Sequence, residues 1–363
     1  YSWTNYLNSL QILSIIGTYS LNLISITIFL IPLIIIFKKN KKFKILLSAF
    51  LLFILICNNF YGFWKIKSDE KFYKKLENFN IKIISPRISI DRFFEQNNEK
   101  IIIDELVELS NPDISKKSIF IFPEGALAGI NLNNLIHFKE IFINKFSDKH
   151  TIIMGINTEK IENNSLKIYN SMVVLDNELN LLYEYNKNKL VPFGEFLPLE
   201  KYLGKIGLKK VTQGYQSFSS GNSRELIFID DKKFNFIPLI CYEIIYSGKI
   251  YPILDDTSFI INISEDGWFG NSIGPYQHFS HSIFRSIEEG KNVIRASNNG
   301  ISAFIDSNGI IVKKKESTEK GVIEVNNYKN VKRTLFSKFG NKIFFCFIIF
   351  YISLFFLVYK KEG

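Results

Sequence analysis

The chain has 363 residues, a formal net charge of +10 and a 47% share of hydrophobic residues. That length exceeds what membrane anchors alone require and accommodates one large globular domain. The basic charge raises nucleic acid as a partner, but no recognised nucleic-acid motif is present, and the lysines cluster beside long apolar runs, which suits anionic lipid headgroups.

Taken in chain order, the first residue is Tyr1 rather than Met, and no signal peptide with a charged start is visible. The natural chain is therefore expected to begin earlier, with further spans ahead of this one. Apolar runs cover about 10–37, 45–64 and 343–359. Roughly 20 such residues cross the ~30 Å hydrocarbon core as a helix, so three transmembrane helices are expected. Pro32 in the first run predicts tilt or a kink. Lys38, Lys39, Lys41, Lys42 and Lys44 fill the short loop between the first two runs and mark it as cytoplasmic. Parity then puts residues 65–341 outside the cytoplasm and the Lys360–Lys361 tail inside. Lys332, Arg333, Lys338 and Lys342 pull the other way, but they flank a long translocated domain, where charge counts less. The apolar runs lack the ionisable midplane residues and paired breaks of a transporter.

Residues 65–80 read as a polar linker, and 81–330 as one globular domain. There, β-branched runs at 81–85, 118–122, 151–156, 169–176, 234–241, 258–263 and 302–306 predict strands. Helices are expected over 91–110, 130–147 and 275–290, and the alternation indicates a layered α/β domain. Cys57 and Cys346 lie in apolar runs, where a cysteine is most often a small hydrophobe. Cys241 is alone in the soluble region, which therefore has no internal disulfide.

Three sites carry chemistry. The apolar strand Ile237–Ile240 ends in Cys241-Tyr242-Glu243, which places a thiol at the mouth of a sheet. A helix starting there would favour the thiolate, although a buried structural cysteine fits the same stretch. A second apolar strand ends in Pro123-Glu124, where a partly desolvated carboxylate would suit a general base and a loop glutamate is the plainer alternative. Third, Lys187 and Lys189 precede Leu-Val-Pro-Phe-Gly-Glu195. An ammonium there could stabilise a thiolate or an oxyanion, with Glu195 holding the lysine or a substrate.

This ordered glutamate–lysine–cysteine set resembles the nitrilase superfamily, and with its flanking apolar runs it is similar to the apolipoprotein N-acyltransferases. Those enzymes carry Pro-Glu, Lys-x-x-Leu-Val-Pro-Phe-Gly-Glu and Cys-Tyr-Glu, and the spacing selects Lys187 over Lys189. Asp266-Gly-Trp-Phe-Gly-Asn-Ser-Ile-Gly-Pro-Tyr-Gln-His278 and Arg295-Ala-Ser-Asn-Asn-Gly300 resemble two further segments of that family. Three positions depart from it. Phe122 stands where tryptophan is frequent, Ser85-Pro-Arg-Ile replaces Gln-x-Asn-Ile, and Phe94 replaces a tryptophan.

The resemblance implies a nitrilase-type αββα sandwich flanked by transmembrane helices, monomeric, in a bacterial inner membrane with its catalytic domain outside the cytoplasm. It implies Glu124, Lys187 and Cys241 as catalytic residues, and Glu195, Tyr242, Glu243, Phe94 and Trp268 as supporting or substrate-binding ones. The acyl donor would be a membrane phospholipid and the acceptor an apolipoprotein bearing diacylglyceryl-cysteine, with no cofactor, metal or nucleic acid. His278 reads as structural, and residues 196–210, with Leu203 and Leu208, as an arm dipping into the membrane surface. A membrane-tethered amidase and a non-enzymatic scaffold are the competing readings, and an intact triad argues against the scaffold.

Overall fold

The computed structural model describes residues 3–37, 40–77, 79–93, 99–127, 129–162, 164–199, 202, 217–250 and 257–362. Phe94, Leu203 and Leu208 lie outside them. The strands in chain order are β1 (Tyr73–Lys75), β2 (Asn80–Ser85), β3 (Ser118–Ile121), β4 (His150–Glu162), β5 (Ser165–Leu175), β6 (Leu181–Asn186) and β7 (Ile227–Ile229). After them come β8 (Phe234–Ile240), β9 (Phe259–Glu265), β10 (Asn292–Asn298), β11 (Ser302–Ile305), β12 (Ile311–Lys315), β13 (Gly321–Val325) and β14 (Asn327–Lys329). Among the described residues they form two six-stranded sheets, ordered β13-β2-β3-β4-β5-β6 and β12-β11-β10-β9-β8-β7, plus the β1-β14 pair.

Period-two alternation builds the layers. Ile119 and Ile121 of β3 point between the sheets and meet Phe236 and Ile240 of β8 and Ile261 and Ile263 of β9. Phe120 and Phe122 point outward, against Ile103, Leu106 and Val107 of the helix Glu99–Ser110. On the other sheet, Ile237, Leu239 and Ile260 face Phe279, Ile283 and Ile287 of the helix Gly274–Glu289. The order is helix, sheet, sheet, helix, as expected. Each isoleucine withdrawn from water contributes ~1.5–3 kcal/mol.

Two sequence expectations need correction. Residues 65–80 are not a plain linker. The second long helix runs from Lys41 to Asp69, and β1 follows and pairs with β14. Its polar end is held because Asp69 accepts from Asn308 (2.8 Å) and pairs with Lys65 (3.2 Å). The first long helix, Leu13–Phe37, has its non-helical residue at Gly17 (φ 73°), not at Pro32. A Cβ on Gly17 would lie 2.0 Å from the Phe336 ring, so close packing with the helix Leu335–Phe339 requires glycine there.

The break at Gly17 frees Thr18, whose backbone N–H and hydroxyl both donate to Glu288 (2.6 and 2.7 Å). Arg285 pairs with Glu288 (2.8 Å) and donates to Thr18, which fastens the long helix to the domain. Beyond this dock, Phe29, Phe37, Phe53, Phe60, Ile349 and Phe356 are exposed. Leu13–Phe37 and Lys41–Phe72 are long and apolar enough to cross a membrane, whereas the C-terminal stretch Lys342–Leu357 is shorter.

Candidate active site

Three strand ends bring the chemistry together. Glu124 follows β3, Lys187 follows β6 and Cys241 follows β8. The first chain turn passes closely over β4. A Cβ on Gly155 would lie 2.6 Å from the Glu124 Cα, so glycine lets the Pro123-Glu124 backbone sit on the sheet. Glu124 is 8% exposed. One of its oxygens accepts from Asn170 Nδ2 (2.7 Å) and lies 3.5 Å from Lys187 Nζ. The other accepts the backbone N–H of Glu265 (3.0 Å). Glu265 is itself fixed by a buried ion pair with Arg92, which also donates to the Gly125 carbonyl (2.9 Å).

Lys187 is 1% exposed and donates to Glu195 (2.8 Å). Burial would drag its ammonium down, but Glu195, Glu124 and Cys241 outweigh burial and hold it well above the ordinary lysine range. Asn170 also donates to Glu195 (2.8 Å), so the amide bridges the two carboxylates that flank the lysine. The Glu195 hairpin closes on itself, because its second oxygen accepts the Val191 N–H (2.8 Å).

Cys241 begins a five-residue 3-10 turn, Cys241–Ile245, with φ at +50°, where non-glycine residues are rare. As a residue Cys241 is partly exposed. Burial and the Glu124 carboxylate push the thiol far up, against the opposing pull of Lys187 and the Ser264 hydroxyl. The helix N-terminus that would favour a thiolate does not follow Cys241, because one 3-10 turn supplies little dipole.

The supporting residues divide by location. Glu195 holds Lys187. Glu243 is buried and ties down the turn that follows Cys241. It accepts from Tyr185 OH (2.7 Å), from the Asn188 and Lys189 N–H groups (3.0 and 3.1 Å) and from Ile240 N–H (2.9 Å), tying the cysteine's turn to the lysine's loop. Tyr242 and Trp268 are exposed. Trp268 packs on Phe93 at 5.0 Å between ring centroids, and Phe93 lies beside Gly125. Phe93 thus stands beside the Glu124–Gly125 turn, while Phe94, the position singled out from the sequence, lies outside the described residues. Asn170, Arg92 and Glu265 were also missed, since a mid-strand asparagine and a distant arginine carry no local motif.

The carbon-nitrogen hydrolase family model matches residues 114–327. The apolipoprotein N-acyltransferase of Rickettsia typhi is 32% identical over 353 residues, 96% of this chain and 69% of that protein. The apolipoprotein N-acyltransferase of Wigglesworthia glossinidia brevipalpis is 32% identical over 333 residues, 88% of this chain and 62% of that protein. A CN-hydrolase superfamily protein from Xanthomonas campestris superposes with a TM-score of 0.46 at 14% identity, over 68% of this chain and 89% of that chain. With the model matched over most of the globular domain and these relatives matched over nearly the whole chain, the protein belongs to the apolipoprotein N-acyltransferase family of carbon-nitrogen hydrolases.

Proposed function

We propose that the chain transfers an acyl chain from a membrane phospholipid to the N-terminal amine of a diacylglyceryl-cysteine apolipoprotein, through a thioester on Cys241. The observation that carries this reading is a buried Glu124–Lys187 pair at the strand ends beside Cys241, in a chain whose long helices turn bare phenylalanines outward. Apolar surface of that extent is stable in lipid and costly in water.

In the first half, Glu124 takes the thiol proton as the Cys241 sulfur attacks the ester carbonyl. The raised thiol value requires this base at the moment of attack. Charge develops on the carbonyl oxygen, and the Lys187 ammonium, held charged by its carboxylates, stabilises it together with a backbone N–H of the cysteine's turn. The C–O bond then breaks, Glu124 returns its proton to the departing lysophospholipid oxygen, and a thioester remains. In the second half, the α-amine attacks the thioester. Its proton passes to Glu124, the C–S bond breaks and the thiol is restored. Glu195 and Glu243 keep lysine and cysteine in register. Tyr242, next to Cys241 in the chain, and Trp268, packed on Phe93, offer exposed aromatic surface suited to lipid chains.

The long helices Leu13–Phe37 and Lys41–Asp69 and the C-terminal helix serve as membrane spans in this reading. The lysine-rich loop is cytoplasmic and the catalytic domain extracytoplasmic. The test is product analysis. The full chain in detergent micelles receives phosphatidylethanolamine and a diacylated lipopeptide with a free α-amine. N-acylated lipopeptide is expected. Release of free fatty acid with the lipopeptide unchanged would contradict transfer in favour of hydrolysis.

A further inference from the structure

Two long sequence segments, the one ending in His278 and the one beginning at Arg295, have no role in the chemistry above. They meet beneath Cys241. Arg295 of β10 is the register partner of Asn262 on β9, and both lie on the sheet face covered by the helix Gly274–Glu289. Arg295 donates to the Asn262 side-chain oxygen and to both oxygens of Asp266 (2.8 and 3.0 Å). Asp266 also bonds His278 Nδ1 (2.9 Å). Both ends of this enclosed chain reach one atom. The Cys241 carbonyl oxygen accepts from Asn262 Nδ2 (3.3 Å) and faces His278 Nε2 (3.2 Å). Asn262, Asp266 and Arg295 are fully buried, and His278 is 3% exposed.

A peptide unit is planar, so the Cys241 carbonyl and the Tyr242 N–H are opposite ends of one rigid plate. Holding the carbonyl from below sets the direction of that N–H above. The plate needs holding because Cys241 sits at φ +50°, a conformation that a non-glycine residue keeps only where its surroundings impose it. We propose that His278 and Asn262, braced by Asp266 and Arg295, form a clamp on the Cys241 carbonyl that aims the Tyr242 N–H at the developing oxyanion. His278 and Asn262 are positioning residues for the acyl transfer of the preceding section, and the inference rests on that reading only for the identity of the acyl donor.

The clamp separates two reactions of the same sulfur. Alkylation by iodoacetamide is a displacement with no oxyanion, whereas acetylation by p-nitrophenyl acetate passes through one. In the full chain in detergent, both rates at Cys241 are read by mass. For His278→Ala we expect acetylation to fall by ~10-fold or more, with alkylation within ~3-fold of the parent. His278→Gln, which keeps a donor, should recover part of the loss. Equal losses in both reactions would reduce the residue to a structural support and overturn the proposal, as would parental acetylation in His278→Ala. If His278→Ala fails to fold, Asn262→Ala carries the same comparison, with the same expected split. Failure of the acyltransferase reading is a separate result, in which the parent reacts with p-nitrophenyl acetate but takes no acyl group from phospholipid.

Discussion

Cys241 and Asp266 close adjacent parallel strands, β8 and β9, at the same edge of the sheet, and burial is the largest influence on both. Their proton affinities nevertheless move in opposite directions. Burial and Glu124 push the thiol up. Burial would push the Asp266 carboxyl up as well, but Arg295 and then His278 overcome it and hold that group well below the usual carboxylate range. The lesson is that burial amplifies whatever charge stands opposite. The thiol stands opposite a carboxylate and the carboxyl opposite a guanidinium.

The first way to break this contrast is to remove the reacting partners. Cys241→Ala should abolish transfer while leaving thermal unfolding close to parental at neutral pH, as read by lipopeptide acylation and calorimetry. Glu124→Gln leaves the raised thiol without a base and should lower the acylation rate by ~10²–10⁴-fold. Single-turnover kinetics with phospholipid would show it, and a loss under ~3-fold would remove Glu124 from the mechanism.

On the fixed side the expected effect is smaller and is read in stability. Asp266→Asn strands the Arg295 guanidinium, where both side chains are fully buried. Breaking such a pair costs about 3–5 kcal/mol. Denaturant titration in detergent should show that loss, and an unchanged midpoint would contradict the pairing.

The pH dependence of stability sharpens the comparison. A depressed Asp266 contributes stability that is present above its unfolded value of about 3.9 and lost as pH falls through the folded value. A raised Cys241 has the opposite sign. Its contribution is full below the unfolded thiol value of about 8.5 and is lost as pH rises beyond it. Cys241→Ala should therefore flatten the alkaline limb of a melting-temperature profile and leave the acid limb unchanged. The smallest effect is at Glu289, where burial raises the carboxyl to about 7. Its stability contribution is full below about 4.3 and lost as pH rises through about 7, so Glu289→Gln should raise the melting temperature above neutrality.

A layered α/β domain followed from apolar strands alternating with helices, because β-branched runs such as Ile81–Ile84 and Phe259–Ile263 have little else to form, and the αββα order came from the family resemblance. Glu124 and Cys241 stood out locally as the first polar groups after apolar strands, whereas Lys187 was chosen over Lys189 only through the family resemblance. What stayed hidden depends on contacts distant in sequence. Asn170 reaches Glu124 across 46 residues and Arg92 reaches Glu265 across 173. His278 was read as structural, and only the parallel pairing of β9 with β10 brings Arg295 and Asp266 to it. The helix break was expected at Pro32. It falls at Gly17 because the Phe336 ring and the Glu288 carboxylate occupy that turn, which nothing local signals.

The most direct test of the central claim is the intact mass of the full chain after incubation with phosphatidylethanolamine of a single acyl composition, without acceptor. The account predicts a mass increase of one acyl group, located on Cys241, absent from Cys241→Ala and discharged when a diacylated lipopeptide with a free α-amine is added. An unacylated parent, or an adduct that persists in Cys241→Ala, would contradict it.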